Sequence, residues 1–167
     1  DAIISHKFAL NMTTVGMPEA YSTYVNLGNA YFDQKNWQAS ISNYKMAIKC
    51  QNNRPEAYLN LGKAHACLKD HSIAIRFFEQ ALKIEPSFYE AEYEMGLSFA
   101  ASGEFVAAGR SFDAVLEIIP THIKTLIAQG INYKNLENYE LAKICFESAI
   151  EQNPEDQHGA FLHLASM

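Results

Sequence analysis

Apolar residues recur along this chain with the spacing of amphipathic helices, in pairs of segments that repeat every 34 residues. Each pair contains two segments of about 14 residues, which is enough for two helices of about four turns. The clearest copy spans residues 55–88. Because the pattern occurs four times without insertion, it predicts four helix hairpins stacked in a row.

Two positions of the repeat hold the same kind of residue in every copy. The first segments contain Gly28, Gly62, Gly96 and Gly130, and the second segments contain Tyr44, Phe78, Phe112 and Phe146. A glycine inside a helix costs about 1 kcal/mol relative to alanine, so its recurrence indicates close packing. Since small residues such as Ala74 also recur in the second segments, we expect Gly62 and Ala74 to be in close backbone contact.

Proline and turn residues mark where the segments end. Proline follows three of the second segments, and it cannot continue a helix; these residues are Pro86, Pro120 and Pro154. In the turn inside each hairpin, glycine would adopt a positive φ more cheaply than other residues. That position holds Gly103 in the third copy and Lys35, Lys69 or Glu137 in the others.

The residues Leu61, Gly62, Ala74, Phe78, Ala81 and Pro86 together resemble the signature of the tetratricopeptide repeat family. The resemblance implies an all-α fold, a right-handed α-solenoid (superhelix) of stacked antiparallel helix hairpins, in a single domain of residues 1–167. The repeats would be residues 21–54, 55–88, 89–122 and 123–156. Residues 1–20 would form an N-terminal cap or remnant helix, and residues 157–167 a C-terminal cap or the start of a truncated repeat.

A few residues depart from the repeat pattern. Gln129 replaces a leucine in the fourth copy, Val115 replaces an alanine in the third, and His65 replaces a tyrosine or phenylalanine in the second. Gly109 interrupts the second segment of the third copy, at the position that Ile41 holds in the first copy. We expect Gly109 to soften its helix.

The net charge of −6 is unevenly distributed. Residues 1–84 carry nine basic and six acidic side chains, a net +3, whereas residues 85–167 carry four basic and thirteen acidic ones, a net −9. An acidic chain without a basic stripe argues against nucleic acid as a partner and against binding to an anionic membrane surface. No apolar run reaches about 18 residues, so no direct membrane insertion is expected.

The chain offers no convincing set of catalytic or metal-binding residues. Cys50, Cys67 and Cys145 have the spacing of neither a disulfide framework nor a zinc site, and we interpret them as reduced thiols, which favours a cytoplasmic location. His65 and His71 flank Cys67, but their spacing does not put two imidazoles on one helix face. We therefore predict no enzymatic activity, no catalytic residue, no metal site and no cofactor.

The family resemblance implies that the first helices line a concave groove that binds a protein or peptide. Carried onto this sequence, the partner-binding positions are Asn26, Asn29, Glu56, Leu59, Asn60, Lys63, Glu90, Tyr93, Glu94, Leu97, Lys124, Ile127 and Ile131. The apolar members suit burial of a peptide, although packing between repeats could also account for them. We expect Tyr93 to be the best single anchor.

Two more specific resemblances fail in part. The carboxylate clamp of chaperone-tail binders requires two asparagines, which Asn29 and Asn60 match. It also requires basic residues where this chain has Val25, Glu90 and Glu94, so that clamp is absent. The asparagine ladder of O-linked N-acetylglucosamine transferase is matched at Asn26 and Asn60 and broken at Glu94 and Ala128. Clamping of a peptide backbone is therefore expected only in the first half of the chain.

These observations favour a scaffold or adaptor that binds a partner protein. The alternatives are a substrate-selecting arm of a larger enzyme such as a glycosyltransferase, or a chaperone for secreted or membrane clients. The third repeat carries an acidic band, part of which Lys124 could neutralise within the chain; the band consists of Glu85, Glu90, Glu92, Glu94 and Glu104. Self-association is also possible, because the +3 end of a second copy could supply the basic side chains.

Overall fold

The computed structural model of the protein describes residues 20–152, and over that range the fold contains eight α-helices and no strand. The helices are α1 (Tyr21–Asp33), α2 (Trp37–Cys50), α3 (Pro55–Cys67), α4 (His71–Ile84), α5 (Tyr89–Ala101), α6 (Phe105–Ile118), α7 (Ile123–Asn135) and α8 (Tyr139–Gln152). Successive first helices begin 34 residues apart, and so do successive second helices. The predicted all-α fold of helix pairs is confirmed.

The described residues form two compact units that divide between Ala91 and Glu92, near the start of α5. In unit 1, α1 pairs with α2, α3 pairs with α4, and α2 packs against α3. In unit 2, α7 pairs with α8, and α6 packs against α7. The handedness of a superhelix and the single-domain organisation stay predictions.

The recurring glycines make room for the recurring aromatic rings. A Cβ atom added to Gly62 would lie within 3.0 Å of three carbons of the Phe78 ring, and the glycines of the other copies face their own rings in the same way. Phe78 is completely buried. The ring of Phe78, one helical turn beyond Ala74 on α4, fills the space beside the glycine. The close backbone contact between Gly62 and Ala74 stays a prediction.

The turns and helix ends agree with the sequence analysis. Gly103 has a φ of +80°, and three larger residues adopt the same left-handed conformation at the equivalent turn position, with φ of 57° at Lys35, 63° at Lys69 and 58° at Glu137. Helices α4 and α6 end two residues before Pro86 and Pro120. Pro154 and both predicted terminal segments lie outside the described residues, apart from Ala20.

The contact between α6 and α7 is unusual because it contains buried amide side chains. Gln129 and Asn132 are each 1% exposed. The Nε2 atom of Gln129 donates to Asp113 Oδ1 at 2.8 Å, and the Nδ2 atom of Asn132 donates to the carbonyl oxygen of Phe105 at 3.0 Å. Burial raises the pKa of Asp113, and this hydrogen bond opposes the effect.

Gly109 provides the space for these amides. A Cβ atom on Gly109 would lie 3.3 Å from Asn132 Nδ2 and 3.9 Å from Gln129 Oε1. At the corresponding contact between α2 and α3, the second helix carries a large residue in place of the glycine. Ile41 packs there with Leu61 and Ala64, which stand in the places of Gln129 and Asn132. Helix α6 continues through Gly109 without a break. Because Gly109 has no side chain, it leaves room for the larger side chains of Gln129 and Asn132.

Candidate functional site

The apolar cleft of unit 2 has a volume of about 220 Å³ and is formed by α5, α6 and α7. Five of the predicted groove residues line it, namely Tyr93, Leu97, Lys124, Ile127 and Ile131. The rest of the lining consists of Ala128, which holds a position of the asparagine-ladder pattern, and of Ala100, Phe112, Asn132 and Asn135, which were not predicted as groove residues. Most of the lining is therefore apolar, and its polar side chains include one lysine and two asparagines.

Tyr93 both lines this cleft and packs inside unit 2. Its ring lies 6.2 Å from that of Phe112 and 5.7 Å, edge to face, from that of His122. Burial is the main reason that the pKa of Tyr93 is raised, and the nearby Glu94 adds to the shift. A change at Tyr93 would therefore affect both packing and the cleft surface, whereas Leu97, 36% exposed, makes a cleaner probe of binding.

The polar cleft of unit 1 has a similar volume of about 210 Å³ and lies on α1, α2 and α3. Asn29, Asn60 and Lys63, three of the predicted groove residues, line it together with Phe32, Asp33 and Tyr44. The Tyr44 hydroxyl donates to Asn29 Oδ1 at 2.7 Å, and Asn60 Nδ2 donates to the same oxygen at 3.4 Å.

The remaining predicted groove residues do not line either cleft. Asn26 is exposed and Leu59 is half-buried. Glu56 pairs with Arg54 in the same unit, at 3.4 Å from Nε to Oε2, and the Arg54 guanidinium lies over the Tyr21 ring at 5.2 Å. Glu90 and Glu94, the two predicted groove residues of the acidic band, lie beside tyrosines. Glu90 raises the pKa of Tyr89, and Glu94 contributes to the raised pKa of Tyr93.

A third cleft lies on α4, a second helix, and so falls outside the predicted groove. It has a volume of about 200 Å³ and is lined by Ile73, Arg76, Phe77 and Gln80. Phe77 also stacks on His65 at 5.5 Å. This cleft is a competing surface that any binding experiment must distinguish from the predicted groove.

Of the residues considered for chemistry, His65 has structural partners. His65 Nδ1 lies 3.3 Å from Asp70 Oδ2, and its ring stacks on Phe77. Cys145 is half-buried, and burial, assisted by Asp113, raises the pKa of its thiol to about 11. Between residues 20 and 152 no group of three or more histidine, cysteine, aspartate or glutamate side chains is placed to hold a metal ion. Nor does any helix in that range combine the length and apolar character needed to cross a membrane.

Comparison with protein families gives three matches. A model described as "TPR repeat" matches residues 28–68, and models described as "Tetratricopeptide repeat" match residues 55–88 and 123–156. Together these matches cover residues 28–88 and 123–156, which is more than half of the chain. No curated protein sequence matches this chain.

Solved structures with the same fold include three that are informative here. The crystal structure of MamA is 23% identical over 93% of this chain and 89% of that chain, with a TM-score of 0.82. YrrB, described as a TPR protein with an unusual peptide-binding site, is 22% identical over 99% of this chain and 82% of that chain, with a TM-score of 0.79. The first TPR of Spaghetti (RPAP3), bound to the HSP90 peptide SRMEEVD, is 19% identical over 74% of this chain and 99% of that chain, with a TM-score of 0.70.

Proposed function

Because this chain belongs to the tetratricopeptide repeat family, we propose that it is a non-enzymatic scaffold or adaptor that binds an extended segment of a partner protein. The apolar cleft of unit 2 receives a large apolar side chain of that segment. Lys124, which is exposed at the start of α7, and Asn135, exposed at its end, contact the flanking polar groups.

The observation that carries this proposal is the composition of the apolar cleft. Leu97, Ile127 and Ile131 come from two different first helices and line one trough of about 220 Å³. Peptide-binding sites on helical surfaces commonly combine such apolar pockets with a few polar groups at their edges. Burying a leucine or phenylalanine side chain in a pocket contributes about 1.5–3 kcal/mol, which is enough to select a partner.

Two of the similar structures support a peptide as the ligand. YrrB is described as having a peptide-binding site, and the first TPR of RPAP3 is bound to a peptide. The acidic HSP90 peptide itself is not carried over to this chain, because the basic residues of the carboxylate clamp are replaced by Val25, Glu90 and Glu94.

The proposal is tested with peptides selected from a random 12-residue display library on the full chain, followed by calorimetric titration of the best synthetic peptide. Leu97→Asn should weaken binding about tenfold or more, because it places an amide against the apolar ligand. The matched control is Val106→Asn on α6, because Val106 is 64% exposed and does not line the apolar cleft.

A second control separates the groove from the second helices. Ile73→Asn alters the α4 cleft and should leave the affinity unchanged. If Ile73→Asn abolishes binding while Leu97→Asn does not, the partner binds the second-helix surface and the proposal is wrong. Failure of the library to yield any binding peptide would also contradict it.

A further inference from the structure

Tyr44 differs from its counterparts by one hydroxyl group, and that group faces the polar cleft of unit 1. The other three copies have phenylalanine at this position. Tyr44 is only 2% exposed, yet it is part of the cleft lining, and its hydroxyl donates to Asn29 Oδ1 at 2.7 Å. Burial raises the pKa of Tyr44 to about 12, so the hydroxyl keeps its proton at neutral pH.

The hydrogen bonds to Asn29 determine which side of its amide faces a ligand. Asn29 Oδ1 accepts from the Tyr44 hydroxyl and, at 3.4 Å, from Asn60 Nδ2. An amide oxygen has two lone pairs, so these bonds use its accepting capacity and leave the amide N–H groups of Asn29 to donate. Asn60, which donates to Asn29, keeps its own Oδ1 as an acceptor.

This arrangement matches a backbone amide better than a carboxylate. Asn29 offers a donor and Asn60 an acceptor, which are the complements of a peptide carbonyl and a peptide N–H. Asp33 and Lys63 both line the cleft, so the lining has no net charge. A carboxylate would bring a negative charge close to Asp33 and to the Asn60 oxygen, whereas a neutral peptide group would not.

We propose that Tyr44 is a positioning residue that holds the Asn29 amide with its N–H groups towards the ligand, so that Asn29 and Asn60 bind one backbone peptide group of an extended partner segment. This inference rests on the proposed function, since it requires a peptide ligand. The family resemblance already implies clamping of a peptide backbone in the first half of the chain, and the new element is the role of Tyr44. Without the hydroxyl, only the longer 3.4 Å bond from Asn60 holds the Asn29 oxygen, so the amide can rotate and present that oxygen to the ligand instead.

The test uses the library-selected peptide and the full chain in a double-mutant cycle. Tyr44→Phe removes only the hydroxyl and restores the residue of the other three copies, so the fold should be retained. It should weaken peptide binding about two- to tenfold, the value of one neutral hydrogen bond. Asn29→Ala should weaken binding at least as much, and adding Tyr44→Phe to Asn29→Ala should have no further effect, because Tyr44 acts through Asn29.

Tyr58→Phe is the matched control, because it also removes a tyrosine hydroxyl from unit 1. That hydroxyl donates to the carbonyl oxygen of Asn52 at 3.1 Å, and Tyr58 does not line the polar cleft. Its affinity should equal that of the parent. The side-chain NH₂ resonances of Asn29 give a second readout, which the peptide should shift in the parent and much less in Tyr44→Phe.

The outcomes separate this inference from the proposed function. Peptide binding that depends on Leu97 but is unchanged in Tyr44→Phe overturns the role of Tyr44 and leaves the proposed function intact. Additive losses in Tyr44→Phe and Asn29→Ala also overturn it, since Tyr44 would then not act through Asn29. A chain that binds no peptide contradicts both.

Discussion

The glycine beside each buried ring shows how individual residues determine the helix packing. Gly62 lies directly against the Phe78 ring, and Gly28 lies in the same way against Tyr44. Both recurring positions are visible in the sequence. Their pairing is not, because a repeat interval aligns the copies with one another but does not determine how two helices are rotated about their axes.

Gly62→Ala should destabilise the protein although alanine is the better helix former. The added Cβ would lie within 3.0 Å of the completely buried Phe78 ring, which has little room to move. Overpacking of this kind costs about 1–3 kcal/mol, more than the gain of about 1 kcal/mol in helix propensity. Thermal or urea unfolding measures the change, and Ser72→Ala on the exposed surface of α4 is the control. A variant as stable as the parent would contradict the close approach of Gly62 to Phe78.

Cys145 and Cys67 should differ strongly in the rate at which their thiols are alkylated. The pKa of the Cys145 thiol is raised to about 11 by burial and by Asp113, whereas Cys67 is exposed. Since the thiolate is the reactive form, Cys145 should be alkylated by iodoacetamide at pH 8 at least about tenfold more slowly than Cys67. Mass spectrometry of the time course measures both rates. Similar rates at the two residues would show that Cys145 is not buried as described.

At the scale of helices, the contact between α6 and α7 explains two anomalies together. Gly109 and Gln129 each depart from the repeat pattern, and the sequence analysis treated them as separate irregularities. In the structure the glycine on α6 makes space for Gln129 and Asn132 on α7. Their relation could not be predicted, because it depends on which faces of the two helices meet.

Replacing Gly109, Gln129 and Asn132 by the residues found at the contact between α2 and α3 should reproduce the packing of that contact. Gly109→Ile alone should destabilise unit 2 by about 1–3 kcal/mol, because its side chain would press on Asn132. Combining it with Gln129→Leu and Asn132→Ala should recover the stability of the parent or exceed it. The triple variant also removes Gln129 Oε1 and Asn132 Oδ1, which are buried and accept no hydrogen bond from any described residue.

The measurement is the free energy of unfolding of the single, double and triple variants. If Gly109 compensates for the two amides, the changes in unfolding free energy at position 109 and at positions 129 and 132 must be strongly non-additive. If the losses are simply additive, the glycine and the amides do not compensate for one another.

Over the described part of the molecule, the sequence predicted the residues of the first helices that line the clefts better than it predicted the hydrogen bonds inside them. The family resemblance pointed to the first helices, and eight of the predicted residues line the two clefts there. The hydrogen bond from the Tyr44 hydroxyl to Asn29 in the unit 1 cleft was not predicted. The second helices also contribute Phe112 to the unit 2 cleft. Tyr44 and Phe112 were not predicted as lining, because the sequence identifies them only as members of the recurring aromatic position of the second helices.

Self-association through the acidic band stays a prediction from the uneven charge. Glu90 and Glu94, the two predicted groove residues of the band, line neither cleft. Any contact they make with a second copy would weaken as the salt concentration rises, since the Debye length falls from about 10 Å at 0.1 M to about 3 Å at 1 M.

The most direct test of the account is an NMR titration of methyl-labelled protein with the library-selected peptide. The bound peptide should show intermolecular NOEs from one large apolar side chain to the methyl groups of Leu97, Ile127 and Ile131, because these line a single cleft. The methyl groups of Ile73 on α4 and Val106 on α6 should show none. NOEs to Ile73 without NOEs to Leu97, Ile127 or Ile131 would contradict the claim that the apolar cleft of unit 2 binds the partner.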